Sequence, residues 1–194
     1  MKANLTSISK RAQGFLGTPE FFKGSLTHKF EVIFNTNDKI LTVFHRENPA
    51  DLEFIFAETL ARFSKNKNIP ELWKINFREV DSFLRDENHL PAFQEDGVLL
   101  EKILLKTKIS LIASAVKAQL KSDFLLSKET NLAAKNLWAQ KLITPLGWEL
   151  VLYEHDVLTV TGLPEGVPTE ALEELLKDIL EGGEKVLPMK VVAV

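Results

Sequence analysis

The sequence predicts an α+β protein built from two consecutive domains. Strand-like alternation of apolar residues occurs in pairs at two places, once near the start of the chain and once near its end, and longer stretches have apolar residues at helical spacing. The short polar stretch SKETN, residues 127–131, separates a long helical pattern from a new one. We therefore expect a first domain over residues 1–126 and a second over residues 131–194.

The first domain is predicted to begin with a β-hairpin that is followed by helices. In the strand pattern THKFEVIF, Val32 and two phenylalanines lie on one face, and the turn NTND leads to a second strand, KILTVF. Asn and Asp suit this turn because they tolerate a positive φ. Apolar residues at helical spacing predict helices within NPADLEFIFAETLARFSK, near Pro70–Trp73, across Phe77–Leu84 and from about Val98 to Leu125.

The second domain is predicted to have the element order αββαβ. The elements are the helix LAAKNLWAQKLI, the strands WELVLY and VLTVTG with a tight turn between them, the helix TEALEELLKDIL and the strand MKVVAV. Because a helix crosses over before the last strand, that strand is expected to pair in parallel with one of the first two. A glycine and proline corner, GLPEGVPT at residues 162–169, connects the second strand to the crossover helix.

Composition narrows the classes of function. The 194 residues are 45% hydrophobic and carry a net charge of −3, so we expect a buried core and no overall positive field that would favour nucleic acid or an anionic membrane. The chain has no cysteine, which excludes disulfides, thiolate metal sites and a cysteine nucleophile. No apolar run has the length of a signal peptide or a membrane span. We expect a soluble, cytoplasmic protein without a nucleic-acid or membrane partner.

The second domain resembles the NifU C-terminal (NFU) domain of iron–sulfur cluster scaffold and carrier proteins. The resemblance lies in the helix end ITPL, the strand pair WELVLYEHDVLTVTG, the corner at residues 162–169 and the closing strand VLPMKVVAV. In that family the corner presents a Cys-x-x-Cys pair, and here Pro164 and Val167 stand at the two cysteine positions. The resemblance implies a small αββαβ domain whose corner keeps the family's backbone but lacks its thiolates.

The first domain resembles the U-type scaffold domain that precedes this module in NifU proteins, an α/β sandwich. The likeness lies in the order and spacing of KFEVIFNTNDKIL, DLEFIFAETLARF, IPELWKINFREVDSFL and HLPAF before VLLEKI. On that pattern the three cysteine positions fall near Gly24, Asp51 and Phe93, and the family's aspartate falls near Leu26. Among these side chains only that of Asp51 can bind a metal. The resemblance therefore implies a scaffold-like domain whose cluster ligands are missing.

Taken together, the two resemblances imply an accessory, non-catalytic role in iron–sulfur cluster assembly. The chain would be a cysteine-free NifU relative that docks assembly or client proteins and holds no cluster, other metal or cofactor. The alternative hypothesis is a protein interaction or oligomerisation module outside that pathway, and homo-oligomers are compatible with either role.

A third hypothesis is a metal-binding or hydrolytic protein. Its best candidate site combines Asp51 with His89, brought together by the fold. The sequence has no nucleophile elbow, no phosphate-binding glycine loop and no metal-ligand spacing. We therefore expect no catalytic residues and no enzyme.

Overall fold

A computed structural model describes residues 9–13, 29–46, 52–87, 90–93, 97–120, 132–180 and 190–194. Within these residues the protein has an α+β fold, as the sequence predicts. The helices are α1 (Lys10–Gln13), α2 (Leu52–Phe63), α3 (Ile69–Leu72), α4 (Phe77–Leu84), α5 (Gly97–Gln119), α6 (Leu132–Ile143) and α7 (Thr169–Leu180), and a 3-10 turn at Thr144–Leu146 follows α6. The strands are β1 (Lys29–Phe34), β2 (Ile40–Arg46), β3 (Glu149–Glu154), β4 (Val157–Thr161) and β5 (Lys190–Ala193).

Strands β1 and β2 form the antiparallel hairpin that the sequence predicts. Phe30 and Val32 are buried, which confirms the predicted apolar face of β1. In the turn, Asp38 has a φ of 54°, and the Asn35 side chain accepts hydrogen bonds from the backbone N–H groups two and four residues further on, at 2.9 and 3.1 Å. The polar side chains of NTND therefore stabilise the turn in the way their residue types predict.

Helices α3 and α4 each begin at a capping box. The Asn68 side chain accepts a hydrogen bond from the Glu71 N–H at 3.0 Å, and Glu71 Oε2 accepts one from the Asn68 N–H at 2.7 Å. Asn76 and Glu79 repeat this reciprocal arrangement before α4. Each box satisfies backbone N–H groups that have no partner inside the helix. The helix predicted across residues 77–84 is confirmed with the bounds that the sequence indicates.

Helix α5 is the central element of the fold. It packs against β1 and α2 on the side of the first predicted domain and against α7 on the side of the second. Its apolar pattern predicts a helix to about Leu125; α5 ends at Gln119, and the Leu120 N–H still donates to the Val116 carbonyl at 2.9 Å. Residues 121–125 lie outside the described residues.

The second sheet has the strand order β3-β4-β5. β3 and β4 are antiparallel and are joined at His155 and Asp156, whose φ values of 50° and 61° are those of a tight two-residue hairpin turn. β5 pairs in parallel with β4, with Val191 opposite Leu158, which confirms the predicted parallel pairing after the crossover helix. Helix α6 packs against β3 and helix α7 against β5.

The two predicted domains contact each other through a shared core. Their buried apolar residues belong to one cluster, in which α5 packs on α7. Gly147 approaches Pro70 so closely that a Cβ built on the glycine would lie 2.8 Å from Pro70 Cγ. Gly147 also has a φ of 78°, in the left-handed region that favours glycine. The predicted boundary at residues 127–131 and the two family-specific folds stay predictions.

Candidate functional site

Three of the five predicted ligand-equivalent positions lie within the described residues. Phe93 lies between α4 and α5, whereas Pro164 and Val167 lie in the corner between β4 and α7. Gly24 and Asp51 lie outside the described residues. The described residues therefore include one position of the first predicted site and both positions of the second.

Phe93 is an aromatic core residue. Its side chain is 3% exposed, and its ring centroid lies 5.3 Å from that of Phe56 and 6.5 Å from that of Phe77. These separations are typical of favourable tilted aromatic contacts. A benzyl group has no atom that binds iron, so the residue at this position contributes hydrophobic packing and no ligand chemistry.

A buried carboxylate holds the backbone next to Phe93. Asp81 of α4 accepts a hydrogen bond from the Ala92 N–H at 2.8 Å through Oδ1 and one from Arg85 Nε at 2.7 Å through Oδ2. Arg85 also forms an ion pair with the same carboxylate at 2.6 Å. Charge-assisted hydrogen bonds of this kind stabilise a carboxylate that is removed from water. Because both oxygens are engaged, Asp81 acts as a structural anchor for residues 90–93.

The corner at residues 162–169 has the backbone of a fixed turn before a helix. Gly162 and Gly166 have φ values of 76° and 74°, which glycine adopts without the strain of a Cβ. Pro168 directly precedes α7, and its carbonyl accepts hydrogen bonds from the N–H groups of Ala171 and Leu172 at 3.1 and 3.3 Å. A proline suits this position because its missing N–H is not needed at the start of a helix.

Pro164 and Val167 lie at the two ends of a short turn inside this corner. The Val167 N–H donates to the Pro164 carbonyl at 3.5 Å, and the Val167 side chain packs half-buried against the core. Neither side chain offers an oxygen, nitrogen or sulfur atom to a metal. The turn thus brings the two positions together, but its residues do not fit an iron–sulfur cluster.

In the described part of the chain, no group of three or more His, Asp or Glu side chains could hold a metal ion. His155 is exposed on the β3–β4 turn, with Nδ1 3.7 Å from Glu154 Oε1. The hypothetical pair of Asp51 and His89 lies outside the described residues. The metal-binding hypothesis therefore gains no support from the described side chains.

Lys108 is a notable residue that the sequence patterns did not single out. It lies on α5 at 8% exposure, and its Nζ donates to the Ile75 carbonyl at 2.5 Å and to the Trp73 carbonyl at 3.3 Å. These carbonyls follow the end of α3, where a helix leaves acceptors unsatisfied. Burial lowers the pKa of Lys108 to about 8, and the negative charge of Glu79 opposes this shift. The ammonium group thus joins α5 to the end of α3.

We expect Lys108 to make the free energy of unfolding depend on pH between about 8 and 10.5. Because the pKa is lowered from 10.5 to about 8 in the folded protein, the unfolded chain keeps the proton in this window while the folded protein loses it. The free energy of unfolding should therefore rise with pH in this window, by at most about 1.4 kcal/mol per pH unit. Below pH 8, where Lys108 is protonated in both states, its burial should destabilise the folded protein to the full extent.

The comparison of Lys108→Met with wild type isolates this effect. Urea unfolding at several pH values should show wild type gaining stability relative to Lys108→Met as the pH rises through the window. Lys102→Met, at an exposed position on the same helix, controls for the loss of a lysine charge. Identical pH profiles for the two variants would contradict the assignment of a buried, destabilised ammonium to Lys108.

Comparison of the chain with protein-family models, with curated proteins and with solved structures finds no match. The likeness to NifU proteins therefore rests on the sequence stretches that carry it and stays a prediction. In the described part of the chain, no helix is long and apolar enough to cross a membrane.

Proposed function

We propose that the protein is a non-catalytic docking protein of iron–sulfur cluster assembly, a NifU relative that binds an assembly or client protein without holding a cluster. The observation that carries this proposal is the corner at residues 162–169. Its two left-handed glycines and the proline before α7 support a fixed turn, as the resemblance leads us to expect, whereas Pro164 and Val167 supply no ligand atoms. At the other predicted site, Phe93 is buried among aromatic rings and also supplies no ligand atom.

The packing of the corner suits a docking role. A Cβ on Gly162 would lie 3.3 Å from the Gly147 carbonyl oxygen, so the start of the corner is pressed against the turn before β3. Leu163 and Val167 pack half-buried on the core, while Glu165 is exposed at the tip. A turn that is held on both sides presents one conformation to a partner, which reduces the entropy lost on binding.

A protein interaction or oligomerisation module outside cluster assembly is the second candidate. The observation that favours it is the outer face of the β3-β4-β5 sheet, where Leu152 and Val192 are exposed. Exposed apolar side chains that lie together on one face often mark a contact surface. Such a surface serves any partner and requires no relation to clusters.

Direct binding to purified proteins separates these two candidates. The full chain is mixed with a purified cysteine desulfurase and, separately, with an iron–sulfur apoprotein, and binding is measured by titration calorimetry. We expect saturable binding to at least one of them, in the micromolar range typical of transient partners, about 1 to 100 μM. Absence of binding to both would contradict a role in cluster assembly and would favour the second candidate.

Cluster reconstitution tests the corner itself. After anaerobic incubation with ferrous iron and sulfide, the wild-type protein is expected to acquire no stable cluster, because the described candidate positions supply no thiolate. The double substitution Pro164→Cys and Val167→Cys should place two thiols in one turn, so that two chains together could supply four ligands. Visible absorption and iron content measure the outcome.

The matched control for this experiment is Pro164→Ser with Val167→Ser, which relieves the same proline restriction without adding thiols. A cluster in the wild type would overturn the proposal that the protein docks without holding one. A double cysteine variant that takes up no more iron than the serine control would contradict the family resemblance of the corner.

A further inference from the structure

The outer face of the second sheet is a regular three-by-three surface. The helices α6 and α7 pack on the sheet, and Tyr153, Leu158 and Val191 form a buried row across it. Residues on either side of this row in each strand therefore point to the opposite face. The face is made of Glu149, Leu152 and Glu154 on β3, Val157, Thr159 and Thr161 on β4, and Lys190, Val192 and Val194 on or just after β5.

Two exposed apolar side chains flank a threonine in the central row of this outer face. Leu152 pairs with Thr159, which pairs with Val192, so the central row is Leu152–Thr159–Val192. Leu152 is 42% exposed and Val192 is 45% exposed, and Val194 at the end of the chain is 78% exposed. Solvent therefore reaches apolar side chains on both outer strands of this face, on either side of Thr159.

On each edge of the same sheet, a helix side chain caps the backbone of one residue. On the free edge of β3, the Tyr153 N–H donates to Asn136 Oδ1 at 2.9 Å, and Asn136 Nδ2 donates to the Tyr153 carbonyl at 3.2 Å. On the free edge of β5, the Val191 N–H donates to Glu173 Oε1 at 3.0 Å. Capped backbone groups cannot pair with an added strand. An added strand therefore loses these pairing positions in the middle of each edge, which favours the face as the contact surface.

Opposite charges stand at the two ends of one row of the face. Glu154 pairs with Val157, which pairs with Lys190, so the acidic side chain lies on β3 and the basic side chain on β5, about 10 Å apart across two strand spacings. Glu154 Oε1 lies 3.7 Å from His155 Nδ1. Lys190 forms no ion pair with another residue in the described ranges. If a second copy is rotated by 180° about an axis parallel to the strands, its Lys190 faces Glu154 and its Glu154 faces Lys190.

We propose that this face binds a second copy of the chain in a symmetric, face-to-face dimer. A two-fold axis parallel to the strands places β3 of one copy over β5 of the other. Each cross-strand row of one copy then faces the same row of the second copy. The dimer then contains two equivalent contacts between Glu154 and the second copy's Lys190, and two between Leu152 and the second copy's Val192. Two sheets packed in this way keep their strands within about 30° of each other, which is the common arrangement of stacked sheets. The proposal stands on the sheet alone and does not rest on a role in cluster assembly.

Because the face is small, we expect the dimer to be weak. Three strands about 4.8 Å apart and about five residues long cover roughly 15 Å by 17 Å. This area is smaller than the about 800 Å² per partner that stable interfaces bury, so the dimer is expected to be weak, with a dissociation constant on the order of 10⁻⁴ M. Sedimentation velocity of the full chain between about 10 μM and 1 mM covers this range.

Charge exchange gives the sharpest test. Glu154→Lys and Lys190→Glu should each turn two attractions into two repulsions and weaken self-association by at least about tenfold. The double variant with both substitutions should restore it. An equimolar mixture of the two single variants should form heterodimers, since each then meets the opposite charge on its partner. Glu101→Lys, an exposed reversal on α5 outside the face, is the matched control and should self-associate like wild type.

Three results would overturn the proposal. The first is a wild-type chain that stays monomeric up to about 1 mM, a concentration well above the expected dissociation constant. The second is self-association that the single reversals leave unchanged or the double variant fails to restore. The third is binding of a different protein to this face. It would be seen as a wild-type chain that is monomeric and binds a purified desulfurase or apoprotein, and as loss of that binding in Leu152→Asn. Circular dichroism of each variant confirms that the chain remains folded.

Discussion

Leu176→Ala is expected to lower the free energy of unfolding by about 2 to 5 kcal/mol. Leu176 is completely buried, and its helix α7 packs against both α5 and β5. Truncation removes apolar contacts and leaves a cavity that the packed neighbours fill only in part. Leu172→Ala, on the same buried face, is expected to fall in the same range. Urea unfolding followed by circular dichroism measures both variants.

Glu174→Ala is the control for these substitutions, because Glu174 is exposed on the same helix. A surface change of this kind is expected to alter stability by less than about 0.5 kcal/mol. Glu173 is unsuitable as a neutral control, since its carboxylate accepts the Val191 N–H. If Glu174→Ala proved more damaging than Leu176→Ala, the buried face assigned to α7 would be wrong.

Elements with strong local signals could be predicted from the sequence with their observed bounds. The capping box of Asn76 and Glu79 marks the start of α4, and Pro168 with the apolar spacing of TEALEELLKDIL marks α7. The parallel pairing of β5 was also predictable, because a helix crossover leaves few topologies for a returning strand. These features depend on residues that lie close together in the chain.

Contacts between distant residues left no such local signal. Lys108 stands four residues from both Leu104 and Ile112 in an apolar helix pattern, so its burial could have been suspected from spacing. Its two carbonyl acceptors, 33 and 35 residues away, could not. The same holds for Asn136, whose role on the edge of β3 depends on a contact 17 residues away in the chain.

The candidate site shows the same division. The corner could be predicted because, within residues 162–169, two prolines fix their own φ and two glycines permit the left-handed conformation that a tight turn needs. The packing of Phe93 could not, because Phe56 and Phe77 come from two other helices and only the folded chain brings the rings together. The charged row of the sheet face also needs the register of three strands, of which β5 is separated from β4 by a helix.

Gly147→Ala is the second substitution with a large expected effect. At a φ of 78° an alanine is strained by about 1 to 2 kcal/mol, and its Cβ would lie 2.8 Å from Pro70 Cγ, closer than packed atoms allow. Forcing an extra carbon into a filled site commonly adds about 1 to 3 kcal/mol. We therefore expect a total loss of about 2 to 5 kcal/mol in the free energy of unfolding, measured in urea.

Gly166→Ala separates the two parts of this loss. Gly166 has a φ of 74°, but no atom beyond its two chain neighbours lies within 4 Å of a Cβ built on it, so only the backbone strain of about 1 to 2 kcal/mol applies. The excess loss in Gly147→Ala then measures the contact between the two predicted domains at Pro70. In a Pro70→Ala background, which lacks the Cγ atom, that excess should shrink, because the two substitutions share one contact and are not additive. Equal losses in Gly147→Ala and Gly166→Ala would show that the two halves of the chain do not press together at this point in solution.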